Sequence, residues 1–111
     1  MSAIDFQYRD VDGVFAGAER KGAVCFIDVK ATKWDSPKLG PIISEQQWAK
    51  ARLVHRMPGR QALFAIVWVW DVRSEAPKYE IWLDPADMVL STHLTLSRSS
   101  TSGFQLMRRR E

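Results

Sequence analysis

Two long apolar segments constrain the fold of this chain more than any other feature of its sequence. The first, at 23–34, begins AVCFIDV, and the second, at 63–72, reads LFAIVWVWDV. Neither alternates between apolar and polar residues as a strand with one face in water would. Strands that are apolar on both faces are buried in the centre of a sheet whose two sides are covered. The sequence therefore predicts two central strands.

A capped helix is predicted between these two strands. Ser44 begins the sequence SEQQ, so that Gln47 follows the serine with the spacing of a capping box. The breakers Pro58 and Gly59 end the helix. Further strands are expected at 4–16, 42–43, 79–83 and 92–96. This order of elements predicts an α/β fold, a small mixed β-sheet with one clear helix.

The length of the chain indicates a single domain, because 111 residues provide one hydrophobic core. We expect its core at about 4–90, and at 97–111 either a flexible basic tail or a last short strand at 104–107. The single cysteine, Cys25, excludes an internal disulfide, and no His/Cys cluster indicates zinc. The charged N-terminus lacks a signal-peptide core and the longest apolar run is too short to span a bilayer, which favours a cytoplasmic protein.

The acidic residues of the first hairpin indicate a candidate metal site. If the turn is centred on 17–22, paired residues sum to 39 or 40, and the second sum places Asp12 directly opposite Asp28. Lys30 shares their face because side chains alternate along a strand. Two facing carboxylates repel each other, and a Mg²⁺ ion bound through their oxygens is one way to stabilise them. A structural ion triad bridged by Lys30 explains the same spacing equally well.

The same residues resemble a nuclease motif. VDGVF at 11–15, a hairpin turn and FIDVKAT at 26–32, followed by the capped helix and the later strands, are similar to the PD-(D/E)XK nuclease superfamily. The sequence is most similar to the NO VEIN-like C-terminal domain group, with VRR-NUC-type domains second. In this comparison Asp12 takes the first acidic position, Asp28 takes the second, and Lys30 is the lysine.

Two features depart from the superfamily pattern. Val11 stands where a proline usually precedes the first aspartate. The superfamily core also normally begins with a helix that carries an acidic residue, whereas this chain begins almost directly in its first strand. The resemblance therefore implies a restriction-endonuclease-like core without an obvious N-terminal helix, and a partner chain is one source of what the site lacks.

The resemblance implies a metal-dependent endonuclease that hydrolyses phosphodiester bonds in DNA, with RNA as the second candidate substrate. Asp12 and Asp28 would bind Mg²⁺ or Mn²⁺, and Lys30 would assist the attacking water. Gln47 or its neighbour Gln46 would lie near the metal-bound water, although helix capping alone also explains Gln47.

Three residues that continue the second strand are candidates for contact with nucleic acid. They are Thr32, Lys33 and Trp34. Trp34 ends its strand beside a loop and is the best candidate in the chain for stacking on an unpaired base. Solvent exposure without a ligand is the alternative role for Thr32 and Lys33.

The charge balance fits a polyanionic partner, since the net charge is +3 and the sequence pI is near 9.3. A domain of this size has little surface with which to hold a duplex, so we expect a homodimer or a module of a larger restriction or repair complex. Two alternatives stay open: a non-catalytic nucleic-acid-binding or protein-interaction module with the same fold, and a purely structural assembly domain.

Several other polar residues have simpler interpretations. Asp10 shares a face with Asp12 on an ideal strand and is a candidate auxiliary metal ligand. His55 and His93 have no motif partners, which predicts surface or packing roles. Trp68 lies in a segment with the pattern of a buried strand and is expected to pack in the core.

Overall fold

The computed structural model describes residues 6–13, 17, 21–99 and 103–109. These residues form two β-sheets and two α-helices, which confirms the predicted α/β class. In chain order, the elements are β1 (Phe6–Asp10), β2 (Ala23–Ala31), β3 (Ile42–Ile43), α1 (Glu45–His55), a 3₁₀ turn (Pro58–Arg60), β4 (Ala62–Trp70), β5 (Lys78–Leu83), α2 (Pro85–Leu90), β6 (Leu94–Arg98) and β7 (Phe104–Arg108).

The larger sheet has the strand order β1-β2-β4-β5, so the two long apolar segments are its central strands as predicted. The expectation that both sides of the sheet are covered is wrong, because Val29 is 40% and Ile81 44% exposed on the second face. β2 and β4 are parallel, whereas β1 and β5 run antiparallel to their neighbours. Parallel neighbours require a crossover connection, and α1 provides it. Because a crossover helix returns the chain to the start of the next strand, the N-terminus of α1 lies near the carboxyl end of β2.

The core lies between one face of this sheet, the two helices and a second sheet with the strand order β3-β7-β6. Even-numbered residues of β4 form the centre of the core and pack against the buried face of α1. The members buried most completely are Phe64, Ile66, Ala51, Ile43 and Leu106. Apolar side chains from β3, α1, β4 and β7 therefore pack together over β4, and this packing holds α1 against the sheet.

The start of α1 is fixed by the predicted capping box. The Gln47 backbone N–H donates to Ser44 Oγ at 3.0 Å, and the Ser44 backbone N–H donates to Gln47 Oε1 at 2.9 Å. Two of the free N–H groups at the helix start are thereby satisfied. Among the described residues, no helix is long and apolar enough to cross a membrane.

The predicted register of the first hairpin is wrong. β1 and β2 are antiparallel as expected, but paired residues sum to 33, as in Asp10 with Ala23. β1 ends at Asp10, whose carbonyl accepts hydrogen bonds from the Gly13 and Gly22 backbone N–H groups at 3.2 and 2.7 Å. The whole segment 11–22 thus connects the strands, so Asp12 cannot lie opposite Asp28. Residues 14–16 and 18–20 of that segment fall outside the described part.

Two differences concern the C-terminal third of the chain. Helix α2 was not expected, although its signals are present: Asp84 Oδ1 accepts from the Asp87 backbone N–H at 3.2 Å, and Pro85 occupies the first turn. The prediction of a flexible tail at 97–111 is wrong over the residues of β7. Leu106 is fully buried, and the strand pairs with both β3 and β6. The alternative of a last strand at 104–107 is confirmed.

Gly40 allows the loop before β3 to pass close to β7. A Cβ atom at this position would overlap the carbonyl oxygen of Leu106. We expect Gly40→Ala to lower the free energy of unfolding by about 2 kcal/mol or more, because the loop or β7 must shift. Urea denaturation measures this. Leu39→Ala, at an adjacent side chain that is 59% exposed, is the control and should change stability by less than about 0.5 kcal/mol. Equal effects of the two substitutions would contradict the close approach.

Candidate functional site

A buried carboxylate at the carboxyl end of β2 is the centre of the candidate site. Asp28 is 1% exposed and lies on the sheet face that α1 covers. Its Oδ2 is 3.4 Å from Lys30 Nζ, and its Oδ1 accepts a hydrogen bond from Gln47 Nε2 at 3.1 Å. Lys30 Nζ also donates to Gln47 Oε1 at 3.2 Å. Three of the four predicted catalytic residues therefore touch one another, and we call them the Asp28 cluster.

The fold explains why these three residues meet. Asp28 and Lys30 are two positions apart on a strand and project from the same face. Gln47 is brought to them by the crossover, because the first turn of α1 lies beside the carboxyl end of β2. The capping box then orients the Gln47 amide: its oxygen faces the Ser44 N–H and Lys30 Nζ, and its nitrogen faces Asp28. One glutamine thus caps the helix and bridges the ion pair.

The buried carboxyl group of Asp28 lies beside a cation and an amide hydrogen-bond donor. A buried charge is costly unless it is paired and hydrogen-bonded, and Lys30 and Gln47 provide both interactions. The N-terminus of α1 adds the positive end of a helix dipole. The Lys30 side chain remains 26% exposed, so the cluster is reached from solvent through its lysine.

Asp12 does not belong to this cluster. It lies in the turn after β1, beyond the Asp10–Ala23 pair. Ala23 precedes Asp28 by five residues on β2, which corresponds to about 17 Å along a strand. The predicted metal pair of Asp12 and Asp28 is therefore not supported, because the hairpin register separates the two carboxylates.

Asp10 is also wrong as an auxiliary ligand of this site. Its strand partner is Ala23, an odd position, so its side chain lies on the opposite sheet face from Asp28. There it is fully buried and accepts a hydrogen bond from the Tyr8 hydroxyl at 3.2 Å. Partial desolvation, the hydrogen bond to Asp10 and the charge of that carboxylate raise the pKa of Tyr8 above its usual value.

The Asp28 cluster fits a magnesium site in which the protein provides few of the ligands. Mg²⁺ prefers oxygen ligands and is often held by one or two carboxylates together with substrate phosphates and water. Asp28 offers one carboxylate, whereas the Gln47 amide oxygen already accepts from the Ser44 N–H and from Lys30 Nζ. No group of three His, Cys, Asp or Glu side chains suited to a metal exists within the described ranges. The residues thus fit an ion held by one carboxylate and completed by substrate.

A groove begins at the Asp28 cluster and passes the predicted nucleic-acid residues. It encloses about 320 Å³ and is lined by Lys30, Thr32, Trp34, residues 39–42 and Trp68; we call it the Trp34 groove. Trp34 is 64% exposed. Two hydrogen bonds fix the backbone of Trp34. Its N–H donates to Thr32 Oγ1 at 3.3 Å, and its carbonyl oxygen accepts from the Asp71 N–H at 2.7 Å.

Of the three predicted contact residues, Thr32 and Trp34 line this groove. Lys33 is exposed between them and is not part of the lining. The structure therefore places two of the three residues beside the Asp28 cluster.

Trp68 separates the groove from a second depression, which the sequence did not indicate. This Glu80 cavity encloses about 150 Å³ and is lined by residues 36–38, Trp68, Glu80, Trp82, Arg108 and Arg109. Glu80 Oε2 accepts hydrogen bonds from Trp82 Nε1 at 3.0 Å and from Arg108 Nη2 at 2.8 Å. The alternation Glu80-x-Trp82 on a strand was the available signal for this contact, whereas Arg108 is distant in sequence.

The pKa of Glu80 is lowered by its neighbours. Burial alone would raise this pKa, but the Trp82 indole and the Arg108 guanidinium lower it, and the net displacement is downward. Both donors favour the charged form of the carboxyl. The glutamate therefore stays ionised at neutral pH and holds Arg108 at the rim of the cavity.

His55 has a partner that the sequence did not reveal. Its Nδ1 lies 2.9 Å from Asp84 Oδ2, and Asp84 also caps α2. Asp84 adopts a left-handed conformation with φ of 50°. This contact joins the end of α1 to the start of α2, which gives His55 a packing role between the helices. His93 is exposed, as expected.

Comparisons with known proteins identify no relative. The chain matches no protein-family model, and neither curated proteins nor solved structures show a detectable similarity to it. The geometry of the Asp28 cluster and its groove is therefore the basis for a functional proposal.

A second carboxylate introduced at Gln47 tests whether the Asp28 cluster accepts a cation. Gln47→Glu keeps a side chain suited to the capping box but places a negative charge beside Asp28. We expect it to destabilise the protein by about 1 kcal/mol or more in EDTA, because like charges repel at this distance. Added Mg²⁺ should restore stability, by about 2.7 kcal/mol at a hundredfold excess over the dissociation constant. Thermal unfolding with and without Mg²⁺ measures both effects.

Gln47→Ala is the matched control for this experiment. It removes the cap and the contact to Asp28, so it should destabilise the protein by about 1–2 kcal/mol with no recovery in Mg²⁺. A melting temperature of Gln47→Glu that does not respond to Mg²⁺ or Mn²⁺ would show that the cluster does not hold a divalent cation.

The lowered pKa of Glu80 predicts a particular acid dependence. A group whose pKa is lower in the folded protein stabilises it above the unfolded value, near 4.5, and loses that effect as the pH falls through the folded value. Glu80→Gln should therefore be less stable than the wild type at neutral pH, and the gap should close on acidification. Urea denaturation of both proteins from neutral to acidic pH measures the gap. A gap that widens in acid would contradict the assignment.

Proposed function

We propose that this chain is a metal-dependent nuclease that hydrolyses phosphodiester bonds, with the Asp28 cluster as its active site. The observation that carries the proposal is the contact of a buried carboxylate with a lysine and a glutamine at the carboxyl edge of a parallel strand pair. Open α/β sheets bind ligands at this edge. The groove that adjoins the cluster is lined by Lys30, Trp34 and Trp68 among mainly apolar residues, and its exposed Trp34 ring is suited to stacking on a base.

Each member of the cluster has a role that follows from its position. Asp28 would hold a Mg²⁺ or Mn²⁺ ion through its carboxylate, and Gln47 would orient that carboxylate through its amide nitrogen. When bound, such an ion lowers the pKa of a coordinated water and stabilises charge on a phosphate. Lys30 is the member that solvent reaches, and its ammonium group can donate to a phosphate oxygen and stabilise the charge that develops there.

The proposal retains the resemblance to the PD-(D/E)XK superfamily, with one change. The sequence Asp28-Val29-Lys30 lies on a strand that leads through a crossover helix into a parallel neighbour. Asp12 is no longer the other acidic residue. Since the described residues bring one carboxylate to the cluster, we propose that assembly as a homodimer or within a larger restriction or repair complex completes the site. DNA is the proposed substrate, RNA the second candidate, and the cytoplasm the proposed location.

A non-catalytic nucleic-acid-binding or protein-interaction module is the second candidate function. The single carboxylate in the cluster favours it, because a lone buried Asp–Lys pair bridged by a glutamine is also a stable structural arrangement. In that case the Trp34 groove would retain its role and the cluster would only support the strand edge.

Cleavage assays on matched carboxylate variants test the proposed nuclease. Plasmid and single-stranded DNA are incubated with Mg²⁺ or Mn²⁺ and the wild type, Asp28→Asn or Asp12→Asn. We expect wild-type nicking to require metal, and Asp28→Asn to reduce its rate by at least about 100-fold. Asp12→Asn, at an exposed turn, should retain the rate within about twofold.

Circular dichroism of each variant confirms that the comparison is between folded proteins. Equal losses of nicking rate in Asp28→Asn and Asp12→Asn would contradict the proposed site and show that Asp12 belongs to it. Absence of cleavage by the wild type with both metals would exclude the nuclease and leave the binding module.

A further inference from the structure

The Trp34 groove and the Glu80 cavity adjoin at Trp68, which lines both, and we call the two together the depression. Lys30, Trp68 and Glu80 are neighbours in a row across β2, β4 and β5, and they share a sheet face. Lys30 lines the groove, Glu80 lines the cavity, and Trp68 lines both. The loop at 36–42 borders the whole row, with its first half at the cavity and its second half at the groove. A bound chain could therefore follow the row from the Asp28 cluster to Arg108.

Four basic side chains lie along this row, and two of them have no carboxylate partner among the described residues. Lys30 is paired with Asp28, and Arg108 is paired with Glu80. Lys38 and Arg109, also at the cavity, form no ion pair with any described carboxylate. The far end of the depression thus carries two exposed cations in excess, which favours a negatively charged group of the ligand.

The aromatic residues of the depression favour flat ligand groups. The Trp34 indole is 64% exposed in the groove, which Lys30 also lines. Exposed aromatic rings in basic grooves stack with unpaired bases, because every base presents a π face. The buried indole N–H of Trp68 finds no acceptor within the described ranges. A buried donor without an acceptor is uncommon, so a water or ligand atom in either depression is its natural partner.

The same geometry disfavours a duplex. The depression lies beside the loop at 36–42, and a base can stack on the exposed Trp34 ring only if one of its own faces is free. Bases of a duplex are stacked and paired, so a free face requires unpairing. An unpaired strand has no such cost.

We propose that this depression binds an unpaired nucleic-acid strand, with one base stacked on Trp34 and a phosphate at Lys38 and Arg109. The strand would place an intervening phosphodiester at the Asp28 cluster. The inference rests on the proposed nuclease function and specifies its substrate as single-stranded or frayed nucleic acid. Binding itself needs neither metal nor cleavage.

Fluorescence anisotropy in EDTA tests the proposal without catalysis. A labelled oligothymidylate, an oligouridylate and a hairpin duplex with the same number of phosphates are titrated with wild-type protein over a range of salt concentrations. We expect a single strand to bind at least about fivefold more tightly than the duplex, since each stacked base contributes at least that factor. Comparison of the oligothymidylate with the oligouridylate shows whether DNA or RNA is preferred.

Variants assign the binding to the depression. Trp34→Ala should weaken single-strand binding about fivefold or more. The double variant Lys38→Ala/Arg109→Ala should reduce the slope of log affinity against log salt by about 1.4, since each phosphate contact of a single strand accounts for about 0.7. Tyr79→Ala is the aromatic control, since Tyr79 is also 64% exposed but lies on the opposite sheet face. Arg52→Ala, near the end of α1, is the charge control.

The results separate this inference from the nuclease proposal. Duplex binding as tight as single-strand binding, no binding of a single strand, or equal effects of Trp34→Ala and Tyr79→Ala would each overturn it. Metal-free binding by a protein that does not cleave would support the inference and reject the nuclease. Cleavage by a protein whose single-strand binding does not change in Trp34→Ala would support the nuclease and reject the inference.

Discussion

The parallel pairing of β2 with β4 is the constraint on which the rest of the structure depends. Parallel neighbours cannot be joined by a tight turn, so the chain must cross the sheet through α1. The crossover places the first turn of α1 at the carboxyl end of β2, and the Ser44–Gln47 capping box fixes that turn. The apolar face of β4 then packs against α1 and holds this arrangement. The contact between Gln47 and Asp28 is a consequence of these steps.

A buried ion pair at such an edge is expensive for a small domain. The carboxylate of Asp28 loses its hydration, and its contacts with Lys30 and Gln47 offset this cost. The proposed nuclease function would use this charged pair, and a purely structural ion pair is the alternative. Lys30 belongs to both the Asp28 cluster and the Trp34 groove, so a ligand in the groove would lie beside the cluster.

Local sequence patterns predicted the main helix and strands. They failed to predict strand register and contacts between residues that are far apart in the chain. The continuous apolar runs and the S-x-x-Q spacing gave β2, β4 and α1 correctly, because burial and capping depend on neighbouring residues. The register of the first hairpin depended on where β1 ends, and the symmetric turn assumed at 17–22 placed Asp12 wrongly. The contacts of Arg108 with Glu80 and of His55 with Asp84 join residues far apart in the chain, so no local pattern could reveal them.

Paramagnetic broadening by Mn²⁺ in nuclear magnetic resonance spectra would test the central claim most directly, because it locates a bound cation without requiring activity. The account predicts that substoichiometric Mn²⁺ broadens the side-chain amide signals of Gln47 and the backbone signals of residues 28–31. It predicts that the turn at 11–13 is unaffected and that Asp28→Asn abolishes the effect. Broadening centred on residues 11–13, or none at the carboxyl end of β2, would contradict the assignment of the Asp28 cluster as the metal-dependent site.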